Sequence, residues 1–91
     1  MSTKEKISEQ FDTLTKKGHL NEIVLFNDDV NTFDHVIDSL VAICSHTNEQ
    51  AEQCALLVHY KGKCTVKTGM YDELDPLCSK LLQLGLSAEI A

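Results

Sequence analysis

Long apolar runs are missing from this chain of 91 residues. The longest, such as Ala55 to Val58, fall far short of a membrane span, and Met1 to Lys17 lacks the continuous apolar segment of a signal peptide. A cytoplasmic location is therefore expected, with no membrane partner. Positive charge is scarce as well: eight Lys and Arg stand against fourteen Asp and Glu, a formal charge of −6. Such a balance disfavours a phosphate-tracking surface, and nucleic acid drops out as a partner. Repeats and low-complexity tracts are absent, and the length leaves no room for a second domain, although 43% apolar residues suffice for a modest core. No Cys-x-x-Cys pair occurs either. Cys44, Cys54, Cys64 and Cys78 are spread ten to fourteen residues apart, each inside an apolar pattern, and read as small reduced core residues rather than a zinc knuckle or a redox site.

What is present is a sequence of short periodic segments. Residues 1–20 are polar and mixed in charge, with Ile7, Phe11 and Leu14 making at most a narrow helical stripe, and are expected to be a flexible N-terminal extension. Residues 21–91 form the folded domain. Glu22 to Phe26, rich in branched and aromatic residues, predicts a buried strand. Thr32 can cap a helix in which Phe33, Val36, Ile37, Leu40, Val41 and Cys44 recur at three- and four-residue steps. Thr47 and Gln50 resemble a capping box that opens a second helix, striped by Ala51, Cys54, Ala55 and Val58 and closed by Gly62.

Lys63 to Thr68 alternates, with Cys64 and Val66 on one face and Thr65 and Lys67 on the other, as in a half-buried strand. Leu74, Leu77, Cys78 and Leu81 stripe a third helix starting at Asp72 or Asp75, which the single proline, Pro76, permits only from the first turn; Gly85 ends it. Leu86, Ala88 and Ile90 alternate in a last strand. The order βααβαβ predicts an α+β open-faced sandwich, three helices on a small, three-stranded, mostly antiparallel sheet.

The segment Asn27-Asp28-Asp29 closes the first strand with an amide and two adjacent carboxylates. Adjacent like charges repel, so either the loop is a hydrated turn whose Asx side chains satisfy backbone groups, or something cationic belongs there. The first two helices each run about a dozen residues, roughly 18 Å, and the short linker Ser45 to Asn48 folds them into a hairpin. The second helix then ends beside the start of the first, and His59 should face Asn27, Asp28 and Asp29. Taken alone, His59 is equally well explained as a helix-end histidine favoured by the macrodipole. His19, His35 and His46 read as surface residues.

Together these blocks resemble the ClpS family of adaptors, which bring substrates with a destabilising N-terminal residue (an N-degron) to a Clp-class AAA+ unfoldase of a Clp protease. The resemblance rests on Val24-Leu25-Phe26-Asn27-Asp28-Asp29, on Thr32 and Phe33 leading into Val36-Ile37-Asp38-Ser39-Leu40, and on Ala51 and Val58-His59-Tyr60-Lys61-Gly62-Lys63, over roughly residues 21–84. It implies an adaptor without catalytic residues, cofactor or metal. It also implies that Asn27 and Asp29, with Asp28 alongside and His59 accepting a further hydrogen bond, hold the α-ammonium group of the substrate. Leu25, Asn31, Phe33, Val36, Ala55, Val58 and Leu86 would line a pocket for a first side chain that is typically Leu, Phe, Tyr or Trp. Asp72 matches an acidic position on the face that docks the unfoldase, where Leu77 replaces an expected lysine. The extension before residue 20 would be engaged during delivery. Phe33 and Ala55 also depart from the family pattern, where a Thr-Pro-Met run and a bulkier apolar residue are common.

The chemistry fits the resemblance. An N-terminal ammonium has three donors and a pKa of about 8, and carboxylates, an amide oxygen and a neutral imidazole nitrogen are its complement. Two other classes compete. Asp28, Asp29, His59 and His35 could hold a divalent ion for hydrolysis, although no metal-ligand spacing is present. A structural interaction domain like the C-terminal domain of the ribosomal stalk protein would share the architecture but leave the Asn-Asp-Asp and His blocks unexplained.

Overall fold

The computed structural model describes residues 20–91, so the expected N-terminal extension lies outside the described residues. The elements run β1 (Asn21–Phe26), α1 (Phe33–Cys44), α2 (Asn48–Lys61), β2 (Lys63–Gly69), α3 (Tyr71–Gln83) and β3 (Ser87–Ile90), the βααβαβ order read from the sequence. The sheet has the order β2-β1-β3, and both pairings are antiparallel, so it is wholly rather than mostly antiparallel. Alternation along β1 buries Asn21, Ile23 and Leu25 and leaves Glu22, Val24 and Phe26 half exposed. The helices pack against the first set, as a one-sided sheet requires.

Ile23, Leu25, Leu40, Leu74, Leu81 and Cys44 are the largest fully buried side chains. The hydrophobic contribution of this core scales with the apolar area removed from water, at about 25 cal/mol per Å². Cys44 and Cys78 belong to the core, and Cys54 and Cys64 are half buried. All four are free thiols. Burial, helped by contact with Cys64, pushes the Cys54 thiol up to about 12, and burial raises Cys44 and Cys78 as well, so these sulfurs stay protonated and unreactive at neutral pH.

Local signals set the helix ends. Thr32 and Thr47 accept from the backbone N–H groups of His35 and Gln50, each at 3.1 Å, and Gln50 returns the favour to the Thr47 N–H at 2.9 Å, completing the expected capping box. Gly62 ends α2 at φ +94°, a left-handed conformation that L side chains rarely adopt.

Three expectations need correction. First, α3 begins at Tyr71, earlier than Asp72 or Asp75, because the Glu73 carboxylate accepts the Met70 N–H at 3.1 Å and closes the first turn there. Pro76 consequently sits in the second turn, and the carbonyl it leaves without an N–H donor is that of exposed Asp72. Second, the alternation of β2 holds only to Val66: the register slips opposite Ile23/Val24, turning Lys67 inward so that its ammonium donates to the Cys44 carbonyl ending α1. Third, His35 and His46 are half buried rather than free on the surface. Their Nε2 atoms lie 2.8 Å from the Leu84 carbonyl and 2.6 Å from the Val66 carbonyl, and as carbonyls only accept, both ring nitrogens donate. His19 lies outside the described residues. Among the described residues no helix is long and apolar enough to cross a membrane.

Candidate ligand pocket

The helical hairpin closes as its lengths dictate. Phe33, the first residue of α1, meets His59, in the last turn of α2, edge to face with ring centroids 5.4 Å apart. On its other side His59 stands edge-on to exposed Tyr60, at 4.8 Å. The backbone secures the same junction, the Asn27 N–H donating to the Gly62 carbonyl at 2.9 Å. Residues about thirty positions apart are thereby held together by one main-chain bond and one aromatic contact.

Between them lies a cavity of about 330 Å³. Its apolar walls come from Leu25, Phe33, Val36, Ala55, Val58 and Leu86, and its polar rim from Asn27, Asp28, Asp29, Asn31 and His59. A volume at the lower end of the small-molecule range suits a single side chain. All eleven residues that the sequence singled out for the pocket and its rim line this one cavity, while Asp72 sits apart, exposed in the first turn of α3. One lining residue was missed: Phe26, which lies between Leu25 and Asn27. Period-two alternation sets it on the opposite face from Leu25, so only its adjacency to Asn27 could have flagged it.

The two carboxylates do different jobs. Asp28 is engaged by its own loop: Oδ1 accepts from the N–H groups of Val30 and Asn31, each at 3.0 Å, and the Asn31 amide reaches both oxygens, at 3.0 and 2.9 Å. This is the Asx turn that the sequence held open as an alternative, and Asp28 fills it alone. Asp29 is exposed, and among the described residues its carboxylate, the Asn27 side chain and the His59 ring make no hydrogen bond within the chain. Their acceptors are free for a ligand. Among the described residues no lysine lines the cavity, and its rim carries the two carboxylates of Asp28 and Asp29.

Burial is the largest influence on Asp28 and pushes its pKa up, but the N–H groups of Asn31 and Val30 and the side chains of Asn31 and Ser87 together hold it below the ordinary 3.8. A folded-state value below that of the unfolded chain contributes stability that is complete above the unfolded value and lost as pH falls through the folded one. The amide NMR shifts of Val30 and Asn31 should therefore stay constant down to about pH 5 and move only below 3.8. Movement already at neutral pH would remove Asp28 as the loop's organiser.

Leu86 reaches the wall by a different device. Leu84 caps α3, Gly85 follows at φ +91°, the Gly85 N–H donates to the Leu82 carbonyl at 3.0 Å and the Leu86 N–H to the Leu81 carbonyl at 3.1 Å. This Schellman arrangement brings buried Leu86 back over buried Leu81. Leu86 thus precedes β3 instead of belonging to it, which corrects the strand read from its alternation.

Among the described residues no three His, Cys, Asp or Glu side chains converge as a metal-binding set, so the donor geometry lends no support to a hydrolytic metal centre. Residues 16–89 match the family model for the ATP-dependent Clp protease adaptor protein ClpS. The ClpS adapter of Acetivibrio thermocellus is 33% identical over 72 residues, covering 79% of this chain and 73% of that protein, and its counterpart from Nostoc sp. is 31% identical over 90 residues, covering 96% and 93%. The structure of Agrobacterium tumefaciens ClpS2 bound to L-phenylalaninamide superposes with a TM-score of 0.72 at 19% identity, over 79% of this chain and 96% of that one, and so shares the fold. These ClpS proteins are adaptors of a protease, not enzymes themselves. With more than three quarters of its length matched, this chain belongs to the ClpS family of Clp protease adaptors.

Proposed function

We propose that this protein recognises polypeptides with a free, bulky hydrophobic N-terminal residue (Leu, Phe, Tyr or Trp) and delivers them to a Clp-class AAA+ unfoldase. The observation that carries the reading is the meeting of three acceptors, on Asn27, Asp29 and His59, that are unengaged among the described residues, at the polar rim of a cavity with apolar walls. In this reading the α-ammonium donates to the Asn27 amide oxygen, the Asp29 carboxylate and the neutral His59 imidazole. Asp28, already hydrogen-bonded, adds negative potential and holds the loop. The first side chain fills the space between Phe33, Val36, Ala55, Val58 and Leu86.

Magnitudes support it. Burying the side chain contributes about 1.5–3 kcal/mol, and each charge-assisted hydrogen bond about 1.5–3 kcal/mol before entropic losses. Micromolar affinity, about −8 kcal/mol, is within reach without turnover. The ligand of the Agrobacterium ClpS2 structure, L-phenylalaninamide, presents the same pair of groups, a free amine beside a phenyl side chain. In the same reading Asp72, exposed in the first turn of α3, belongs to the face that docks the unfoldase.

Titrating a peptide that begins with Phe into the wild-type protein and into Asp29→Ala tests the reading. Micromolar binding should fall by about tenfold or more in the variant, the value of one charge-assisted bond, while circular dichroism is unchanged because Asp29 is exposed and makes no bond within the described chain. A wild-type protein that ignores the peptide would end the proposal.

A further inference from the structure

Five segments wall the cavity, the end of β1, the Asn27–Thr32 loop, the start of α1, the C-terminal half of α2 and the turn before β3, and they are not secured alike. The Asn27–Thr32 loop and the end of α2 share the main-chain bond from Asn27 to Gly62. The turn between α3 and β3, which contributes Leu86, spends its N–H groups on Lys80, Leu81 and Leu82 of its own helix, and only from Ser87 onward is the chain held by the ladder, where Ser87 pairs with Phe26 of β1. Two side chains reach the turn itself. The Asn31 amide donates to the Gly85 carbonyl at 2.9 Å, and the His35 ring donates to the Leu84 carbonyl at 2.8 Å.

Both donor assignments are forced. Asn31 Nδ2 faces the two Asp28 oxygens and the Gly85 carbonyl, all acceptors, so an amide oxygen there would meet only lone pairs. His35 Nε2 faces a carbonyl and must carry its hydrogen, which it does as the Nε2–H tautomer and equally as the imidazolium. The carbonyls they serve lie at and just past the end of α3, where no intrahelical donor remains. The Asp28 carboxylate completes the relay: its two oxygens share one N–H of the Asn31 amide, which aims the other N–H at Gly85.

Resting on the function proposed above, we infer that Asn31 and His35 form a two-point clamp on the Leu84–Gly85 turn that sets the position of Leu86, and with it the fit of the bound side chain. His35 does not line the cavity; it acts through the turn and is a positioning residue. Loss of the clamp lets the Leu86 wall retreat and costs contacts to a large first side chain, while the acceptors for the ammonium, on the Asn27–Thr32 loop and the end of α2, stay in place.

A double-mutant cycle between His35→Ala and Leu86→Ala, read with a Phe-initiated peptide, tests the inference. In the wild-type background His35→Ala should weaken binding about threefold to tenfold, the worth of one hydrogen bond. In the Leu86→Ala background the same change should cost less than about twofold, because the residue it positions is gone. His35→Gln, which keeps a donor near the Leu84 carbonyl, should restore affinity. Equal losses in both backgrounds, or no loss in either, would overturn the clamp. A second readout is independent of any ligand: amide exchange at Leu86 and Gly85 should accelerate about tenfold in His35→Ala while buried β1 amides are unaffected. Unchanged exchange at Leu86 refutes the clamp even if the peptide fails to bind, whereas accelerated exchange without peptide binding upholds the clamp and refutes the function on which its role was placed.

Discussion

N-terminal acetylation of a Phe- or Leu-initiated peptide should abolish its binding, a loss of at least about a hundredfold. The physical basis is that the cavity supplies acceptors at its rim and apolar groups below it, with no lysine lining it among the described residues. Acetylation leaves the side chain, and hence the hydrophobic contribution, untouched. It removes the positive charge and two of the three donors, and it adds a carbonyl that would face Asp29. Two charge-assisted bonds at about 1.5–3 kcal/mol each amount to a factor well above a hundred, so the effect exceeds that of any single rim substitution. Isothermal titration of the free and acetylated peptides side by side decides it. Equal binding of the two would mean that the cavity reads the side chain alone, and the Asn27, Asp29 and His59 cluster would lose its purpose.

Replacing Leu81 by Ala should produce a large loss of stability at the corner that carries Leu86 into the pocket wall. Leu81 is fully buried on the inward stripe of α3, and its carbonyl accepts the Leu86 N–H. Truncating a buried leucine costs about 2–5 kcal/mol, from lost transfer energy and the cavity left behind. Against a total of about 5–15 kcal/mol for a domain of this size, such a loss shifts the melting midpoint by about 10–30 °C. Leu82, one residue on, is 52% exposed, and Leu82→Ala should change stability by no more than about 0.5 kcal/mol. Thermal unfolding of the two variants in parallel separates burial from helix propensity, since the substitution is the same and only the face differs. A Leu81→Ala protein that melts within a few degrees of wild type would show that the Schellman turn, not the leucine, anchors this corner. Because Leu86 packs back over Leu81, peptide affinity should fall with stability in Leu81→Ala and remain unchanged in Leu82→Ala.

Local order was legible in the residues because it is written in short-range chemistry. The stripe from Phe33 to Cys44, the Thr47–Gln50 capping box and the Gly62 stop are interactions over three or four positions, and each appears where the pattern places it. The hairpin made of two short helices follows from their lengths, which is why His59 could be placed against Asn27 to Asp29 before any coordinates. The family match spans residues 16–89, which contain the Asn-Asp-Asp and Val-His blocks. Long-range partners were not legible. Nothing in the pattern says that Asp28 is consumed by Val30 and Asn31 while Asp29 stays free, since adjacent carboxylates look alike until the turn aims one inward. His35 and His46 read as solvent-facing because the carbonyls they serve, on Leu84 and Val66, lie 49 and 20 residues away. The slip opposite Ile23 and Val24, and the second-turn position of Pro76, depended on packing that offsets a locally unfavourable geometry. Periodicity and capping are properties of neighbours along the chain, whereas the division of labour between two identical side chains depends on which distant donors the fold delivers to each.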